Sequence, residues 1–268
     1  MSRLIRVLVA CEYSGVVRDA FIREGFDAWS NDLESEAPEG QWPEKHLVGD
    51  CLHHIENSGP WDLLIAHPPC TYLCSSGLHW NTRDPGRAEK TEESLEFVKT
   101  LLASPIRHIA LENPIGCISS RIRKPDQIVQ PHQFGDDASK QTCLWTKSLP
   151  QLTPTLNVPP QYGCAPCRVK FPMTDGEDGC PRCGGLNGKP KRVWGNQTAS
   201  GQNNLGPSET RWKDRSRTYQ GIADAMAKQW GAYIRSLYAV EPCDFCGYEF
   251  DQETLGKYGC PNCEGEEL

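Results

Sequence analysis

Cys70 follows Pro68-Pro69 directly after the apolar run Leu63-Leu64-Ile65-Ala66. Prolines end a sheet ladder, so this thiol stands on a rigid turn at the carboxyl end of a buried strand. That is where open α/β sheets place reactive groups, and it suits a nucleophile better than a packing thiol. Acids close three other strand-like runs: Asp32 after Asp27–Asn31, Asp50 after Lys45–Gly49, and Glu112, ahead of Asn113-Pro114, after Arg107–Leu111. Strand ends of one parallel sheet converge on one crevice, so the three acids and the thiol are expected to meet there. A carboxylate at a buried strand end is costly unless it is paired or used.

A second kind of chemistry lies downstream. Cys164-Ala165-Pro166-Cys167 and Cys180-Pro181-Arg182-Cys183 are separated by twelve residues, and Cys243-Asp244-Phe245-Cys246 and Cys260-Pro261-Asn262-Cys263 by thirteen. Paired Cys-x-x-Cys knuckles at this spacing predict two tetrahedral, structural Zn²⁺ sites. With all four ligands cysteine, no coordination position is left for water, so neither site is expected to catalyse.

The elements that must position these residues can be read from periodicity. Leu4–Ala10 predicts a first buried strand, Cys11–Gly15 a turn, and Val16, Val17, Ala20 and Phe21 a helix with Ser14 as cap and Gly25 as stop. A strand, tight turn and helix in that order present a helix amino terminus to a nucleotide-like ligand. Leu95, Val98, Leu101 and Leu102 mark a helix within 91–104, and residues 128–134 and 141–147 read as two antiparallel strands. The four prolines between Leu149 and Pro160 make a linker. Residues 184–210 are a polar loop, and Ile222, Met226, Trp230, Tyr233 and Leu237 form the apolar face of a final helix. That face should dock on the main sheet, making the first zinc segment an insertion.

The 268 residues carry a net charge of −7. Residues 241–268 hold eight carboxylates against Lys257, which accounts for the whole of it. Residues 161–218 hold ten Lys/Arg against five Asp/Glu. A basic segment beside an acidic tail suits a polyanionic partner. No apolar run is long enough to span a membrane, and Met1–Arg6 leads straight into a strand pattern, so a cytoplasmic protein is expected, with mostly reduced or metal-bound thiols.

Cys11-Glu12-Tyr13-Ser14-Gly15, Asp32, Asp50, Pro69-Cys70 and Glu112-Asn113, in that order, resemble the DNA cytosine carbon-5 methyltransferases. Within them the chain is similar to the compact cytosine-methylase-like proteins of phages and prophages, which would place it in a host cytoplasm. The resemblance covers roughly residues 4–148 and 207–237. It implies a Rossmann-like methyltransferase sheet in an α/β fold, with an inserted four-cysteine zinc ribbon and a second one at the carboxyl end. The implied division is a core over 1–158, the ribbon and basic loop over 159–206, a returning helix over 207–240, and the acidic ribbon over 241–268.

The resemblance also implies S-adenosylmethionine, held by Glu12, Ser14, Gly15, Asp32, Asp50, Pro69 and Asn113. Asp32 would meet the ribose hydroxyls and Asp50 the adenine amino group. Cys70 would add to carbon 6 of a flipped or single-stranded cytosine, and Glu112 would engage its ring nitrogen 3, protonated there if burial raises its pKa. The chain departs from the family in having one glycine in its first turn and Pro114 where the family has valine. Lys140, Gln141 and Thr142 stand in for a missing Gln-x-Arg-x-Arg segment, and the ribbon replaces a target-recognition domain. DNA is the implied partner, with a protein partner, or a basic groove of the same chain, for the acidic tail. Alternatives are another carbon-5 donor, an amino-nitrogen methyltransferase entered through His67-Pro68-Pro69-Cys70, or a zinc-ribbon DNA-binding protein without catalysis.

Overall fold

The computed structural model describes residues 4–33, 40–172, 179–184, 189–209, 211–238, 240–242 and 249–251. The chain begins with β1 (Arg6–Ala10), α1 (Val16–Arg23), β2 (Asp27–Asp32), β3 (His46–Val48), α2 (Cys51–Asn57) and β4 (Leu63–Ala66). There follow α3 (Ser75–Leu78), α4 (Pro85–Leu102), β5 (His108–Pro114), α5 (Ile118–Arg121), β6 (Gln127–Val129) and β7 (Thr142–Lys147). These seven strands form one sheet in the order β3-β2-β1-β4-β5-β7-β6. Only β7 runs antiparallel to its neighbours; the other pairings are parallel. The chain therefore winds outward from β1 in one direction and resumes at β4 in the other, so the topological switch point lies between the carboxyl ends of β1 and β4. This mixed sheet is consistent with the Rossmann-like architecture expected from the sequence.

The sheet is covered on both faces, as the continuous apolar strands require. Val7, Val9, Leu63 and Ile65 point to the side of α1 and of the last helices. Leu8, Leu64, Ile109 and Leu111 point to the opposite side, against Ile55 of α2 and Leu95, Val98 and Leu101 of α4. The helix α4 starts earlier than the apolar spacing alone suggested. Pro85 occupies its first turn and the Asp84 side chain accepts from the Arg87 amide, so polar residues extend the helix ahead of its buried face.

The chain leaves this core through an irregular stretch and forms a small antiparallel sheet from β8 (Gln161–Cys164), β9 (Val169–Phe171) and β10 (Lys191–Val193), ordered β10-β8-β9. It returns through α6 (Arg211–Ser216), α7 (Gln220–Ala225), a π-helical turn over Met226–Trp230, and α8 (Gly231–Leu237). Ile222, Met226, Trp230 and Ile234 are buried against the sheet. The π turn explains why Ile234 is the fully buried residue of the last turn while Tyr233, expected there, packs against the core only partly buried: widening one turn shifts the phase of the following face. A last hairpin pairs β11 (Val240–Pro242) with β12 (Glu249–Asp251). Among the described residues, no helix is long and apolar enough to cross a membrane.

Candidate active site

Strand register builds the centre of the site. Ala66 of β4 pairs with Leu111 of β5, so His67 and Glu112 are the next neighbours along the two strands. His67 Nδ1 lies 3.0 Å from Glu112 Oε2, and the two side chains are 8% and 10% exposed. Beyond His67 the Pro-Pro pair turns the chain outward and leaves Cys70 exposed. Asn113 fixes that turn, its side-chain amide donating to the Pro68 carbonyl at 2.7 Å. The amides of Leu73 and Cys74 donate to the Cys70 carbonyl, closing a helical turn behind the thiol. Gly116 packs so closely beneath Leu73 that a Cβ there would collide with the Leu73 carbonyl.

The strand beside β5 supplies the rest. Glu112 pairs with Leu144 and Pro114 with Thr142, so the entry of β7 lies against the exit of β5. Lys140 and Thr142 both act on Glu112. Burial pushes the Glu112 carboxyl up, but the His67 hydrogen bond, the Lys140 charge and the Thr142 hydroxyl hold it below the usual carboxylate range. Glu112 therefore stands as a carboxylate, and the protonated acid that burial would favour is not what this environment selects. At Cys70, desolvation by the crevice walls, then Cys74 and Glu112, push the thiol above its ordinary value, while Lys140 and Arg215 pull it down.

Arg215 comes from α6, seventy-five residues beyond Lys140. Lys140 Nζ donates to the Arg215 carbonyl at 3.1 Å, and Lys213 Nζ sits 4.3 Å over the ring of Tyr13. So α6 crosses from Cys70 to the turn after β1.

That turn is shaped by two left-handed residues, Cys11 at φ 58° and Gly15 at φ 67°. Glu12 lies between them, 4% exposed, and caps α1 by accepting from the Val17 amide at 2.7 Å and the Arg18 amide at 3.2 Å. Ser14 Oγ lies 3.5 Å from both Glu12 Oε1 and the Val16 amide. Burial pushes Glu12 above the usual carboxylate range, against the opposing effects of His67, the two amides and Arg18.

Asp32 and Asp50 end β2 and follow β3, and Asp50 also caps α2 by accepting from the Leu52 amide at 2.9 Å. Cys11 and Cys51 face each other beside these acids: the Cys51 thiol, then burial, with Asp32 and Asp50, push Cys11 well above its ordinary value. The predicted residues thus fall into two groups. Cys70, Glu112, Lys140 and Thr142 meet at β4, β5 and β7, with Pro69 exposed on the turn beside them. Asp32 and Asp50 gather at β2 and β3, joined to the first group through the Glu12–His67 interaction. Asn113 lies behind both, attached to the turn.

In the ribbon, the ligand atoms of Cys164, Cys167, Cys180 and Cys183 all lie within 4.8 Å of one another, with Cys164 Sγ 3.9 Å from Cys183 Sγ. Four sulfurs at Zn–S bonds of about 2.3 Å would stand roughly 3.8 Å apart, so the cluster fits a tetrahedral metal. Cys243, Cys246, Cys260 and Cys263 lie outside the described residues. The loop after β10 clasps the core: Asn196 exchanges hydrogen bonds with the Ser139 backbone, the Gly195 amide donates to Asp137, and Trp194 stacks on His132 at 4.5 Å. This clasp holds the segment that leads into Lys140.

Sequence reasoning left His67, Arg215 and Lys213 unassigned. His67 could be found only by aligning the ends of β4 and β5 in register. The two bases lay in the basic segment, but nothing local ties them to Cys70 or Tyr13.

No family model matches the sequence, and no curated protein does. Among solved structures, a prophage-encoded protein of E. coli described as a DNA modification methyltransferase matches at 15% identity and a TM-score of 0.36, over 58% of this chain and 52% of its own. The Entamoeba histolytica methyltransferase EhMeth matches at 18% identity and a TM-score of 0.42, over 59% of this chain and 58% of its own. The chain thus spans little more than half the length of either structure, and likeness at this level carries no functional argument.

Proposed function

We propose that the protein is an S-adenosylmethionine-dependent DNA cytosine carbon-5 methyltransferase. One observation carries this: an exposed thiol, Cys70, shares the ends of adjacent strands with a buried carboxylate and a lysine, beside the switch-point crevice. Cytosine carbon 5 is unreactive while the ring is aromatic. Thiolate addition at carbon 6 forms an S–C bond, breaks the 5,6 double bond and sends an electron pair toward ring nitrogen 3. Cysteine suits this step because it attacks well and leaves well.

Glu112 faces the pyrimidine edge that carries the exocyclic amino group, a donor matched to a carboxylate acceptor. Lys140 offsets the charge of both thiolate and carboxylate, and Arg215 that of the thiolate. After carbon 5 is substituted and loses its proton, the S–C bond breaks and Cys70 is regenerated. A base within a duplex cannot reach these groups, so the substrate base is extrahelical or single-stranded.

The residues beside β1, β2 and β3 fit the cofactor by their chemistry. Asp32 and Asp50 offer acceptors for hydroxyl and amino groups, and Gly15 leaves the turn backbone open. Glu12 already occupies the first amides of α1, so this end of the crevice suits a cationic group better than an anionic one. S-adenosylmethionine, when bound, supplies the methyl group. Arg211, Lys213, Arg215 and Arg217 on and beside α6 supply cations for the nucleic-acid backbone. The four-cysteine cluster of the ribbon holds a structural zinc, a second zinc belongs to residues 243–263, and the acidic tail is assigned a protein partner.

Nucleoside mass spectrometry of DNA from cells expressing the protein tests the reading. The expected product is 5-methylcytosine, absent with Cys70→Ser. A methylated amino nitrogen that persists in Cys70→Ser would replace this reading with amino methylation.

A further inference from the structure

Addition of Cys70 to cytosine needs a proton at ring nitrogen 3, and Glu112 is held as a carboxylate by its neighbours. The proton has to come from a group in contact with it. Lys140 directs its ammonium to the Arg215 carbonyl, and the Thr142 hydroxyl is too weak an acid to give up its proton. His67 is different. It hydrogen-bonds Glu112 at 3.0 Å, its side chain is 8% exposed, and its other ring nitrogen, Nε2, is buried with no hydrogen-bond partner among the described residues.

A buried, unpartnered imidazole nitrogen is costly, which argues for a use beyond packing. The backbone that carries the ring is held on both sides: the His67 amide donates to the Ala10 carbonyl at 2.9 Å, and the Pro68 carbonyl accepts from Asn113. The titratable groups that face the pair are Glu12 from the turn after β1, with Lys140 from the entry of β7, where the Thr142 hydroxyl also contacts Glu112.

Resting on the cytosine reading, we propose that His67 is the proton reservoir of the nucleophilic step, passing one proton through Glu112 to ring nitrogen 3 and taking it back when Cys70 leaves. In this scheme the transferable proton starts on His67 Nδ1, in the hydrogen bond to the Glu112 carboxylate. As the Cys70 S–C6 bond forms and the 5,6 π bond breaks, the displaced electron pair reaches nitrogen 3, and the single proton of His67 Nδ1 passes to Glu112 and from it to nitrogen 3. This leaves neutral imidazole and Glu112 again a carboxylate. On elimination the S–C6 bond breaks, nitrogen 3 releases its proton, and the imidazolium is restored. No outside acid is consumed, and His67 acts through Glu112 as a positioning and proton-holding residue.

The test is release of tritium from carbon 5 of cytosine in a single-stranded oligodeoxynucleotide, which reports addition and elimination at Cys70 without methyl transfer. It is measured across pH with the full chain, and methyl transfer is measured in parallel. His67→Asn and His67→Gln keep a hydrogen-bond donor toward Glu112 but hold no transferable proton. Both are expected to bind the oligonucleotide and melt like the wild type, to release tritium about 10²-fold more slowly, and to lose the alkaline limb of the pH profile. Added imidazole should restore release in His67→Gly. Variants that match the wild type in rate and pH profile, with the wild type active, overturn the proposal alone. A wild type that neither releases tritium nor methylates cytosine removes the cytosine reading and the proposal with it.

Discussion

Cys70 stands on an exposed turn with Cys74, Glu112, Lys140 and Arg215 in electrostatic reach, whereas Cys164, Cys167, Cys180 and Cys183 crowd within 4.8 Å of one another. The functional group is the same and the surroundings are opposite. Around Cys70, burial, Cys74 and Glu112 raise the thiol above its ordinary value, Lys140 and Arg215 oppose them, and the sulfur stays accessible. In the ribbon all four thiolates would be bound by one shared metal, with Cys164 and Cys180 only 1% exposed, so their lone pairs would be tied up in coordination. Neighbours and access thus decide whether a cysteine does chemistry or holds structure. The two centres are also linked: the ribbon clasps residues 137–139, and those lead into Lys140, so the closed centre helps hold the open one.

Removing the proposed zinc should have the largest effect. Cys180→Ser is expected to lower zinc content by one ion per chain. It should unfold the ribbon, with the loss of metal-coupled folding energy on the order of 10 kcal/mol seen for structural zinc. Metal analysis and proteolysis of the 159–206 segment would read this. Cys70→Ser should leave both unchanged while abolishing adduct formation. If it also releases zinc, the two centres are not separate.

Lys140→Met attacks the link between them. Lys140 helps hold Glu112 below the usual carboxylate range, so its loss should raise that group's pKa and move the acidic limb of the rate profile to higher pH. Turnover should fall about 10²-fold. Stability should respond as well. Because the folded-state pKa of Glu112 is lowered, its contribution is complete above the ordinary carboxylate range and is lost as pH falls through the lowered value. The difference between wild type and Lys140→Met should therefore shrink in acid, as denaturant melts at several pH values would show.

The smallest effect is expected at Asp50, which caps α2 and ends in the crevice. Asp50→Ala should cost about 1 kcal/mol of stability through the lost cap, and Asp50→Asn far less. If Asp50 also holds the cofactor, both variants should weaken S-adenosylmethionine binding in calorimetry, by about tenfold. Unchanged binding in Asp50→Asn would confine Asp50 to capping.

Much of this molecule follows from local pattern. The four-residue apolar run before His67, the alternation of buried strands and helices, and the acids at 32, 50 and 112 are properties of short segments, and the structure keeps them in that order. The two-knuckle spacing of Cys164–Cys183 is equally local, because a metal needs only four sulfurs and a turn at each pair. Tertiary structure alone decided which strand lies beside which and in what register.

Only the pairing of Ala66 with Leu111 brings His67 to Glu112 and turns an unassigned histidine into the partner of an ionised acid. Only the return of the chain after the ribbon brings Lys213 over Tyr13 and Arg215 toward Cys70. Periodicity records which face of an element is buried, and it carries no information about its neighbour across the sheet. Protonation states depend on that neighbour, so the state of Glu112 was settled by packing between strands far apart in sequence.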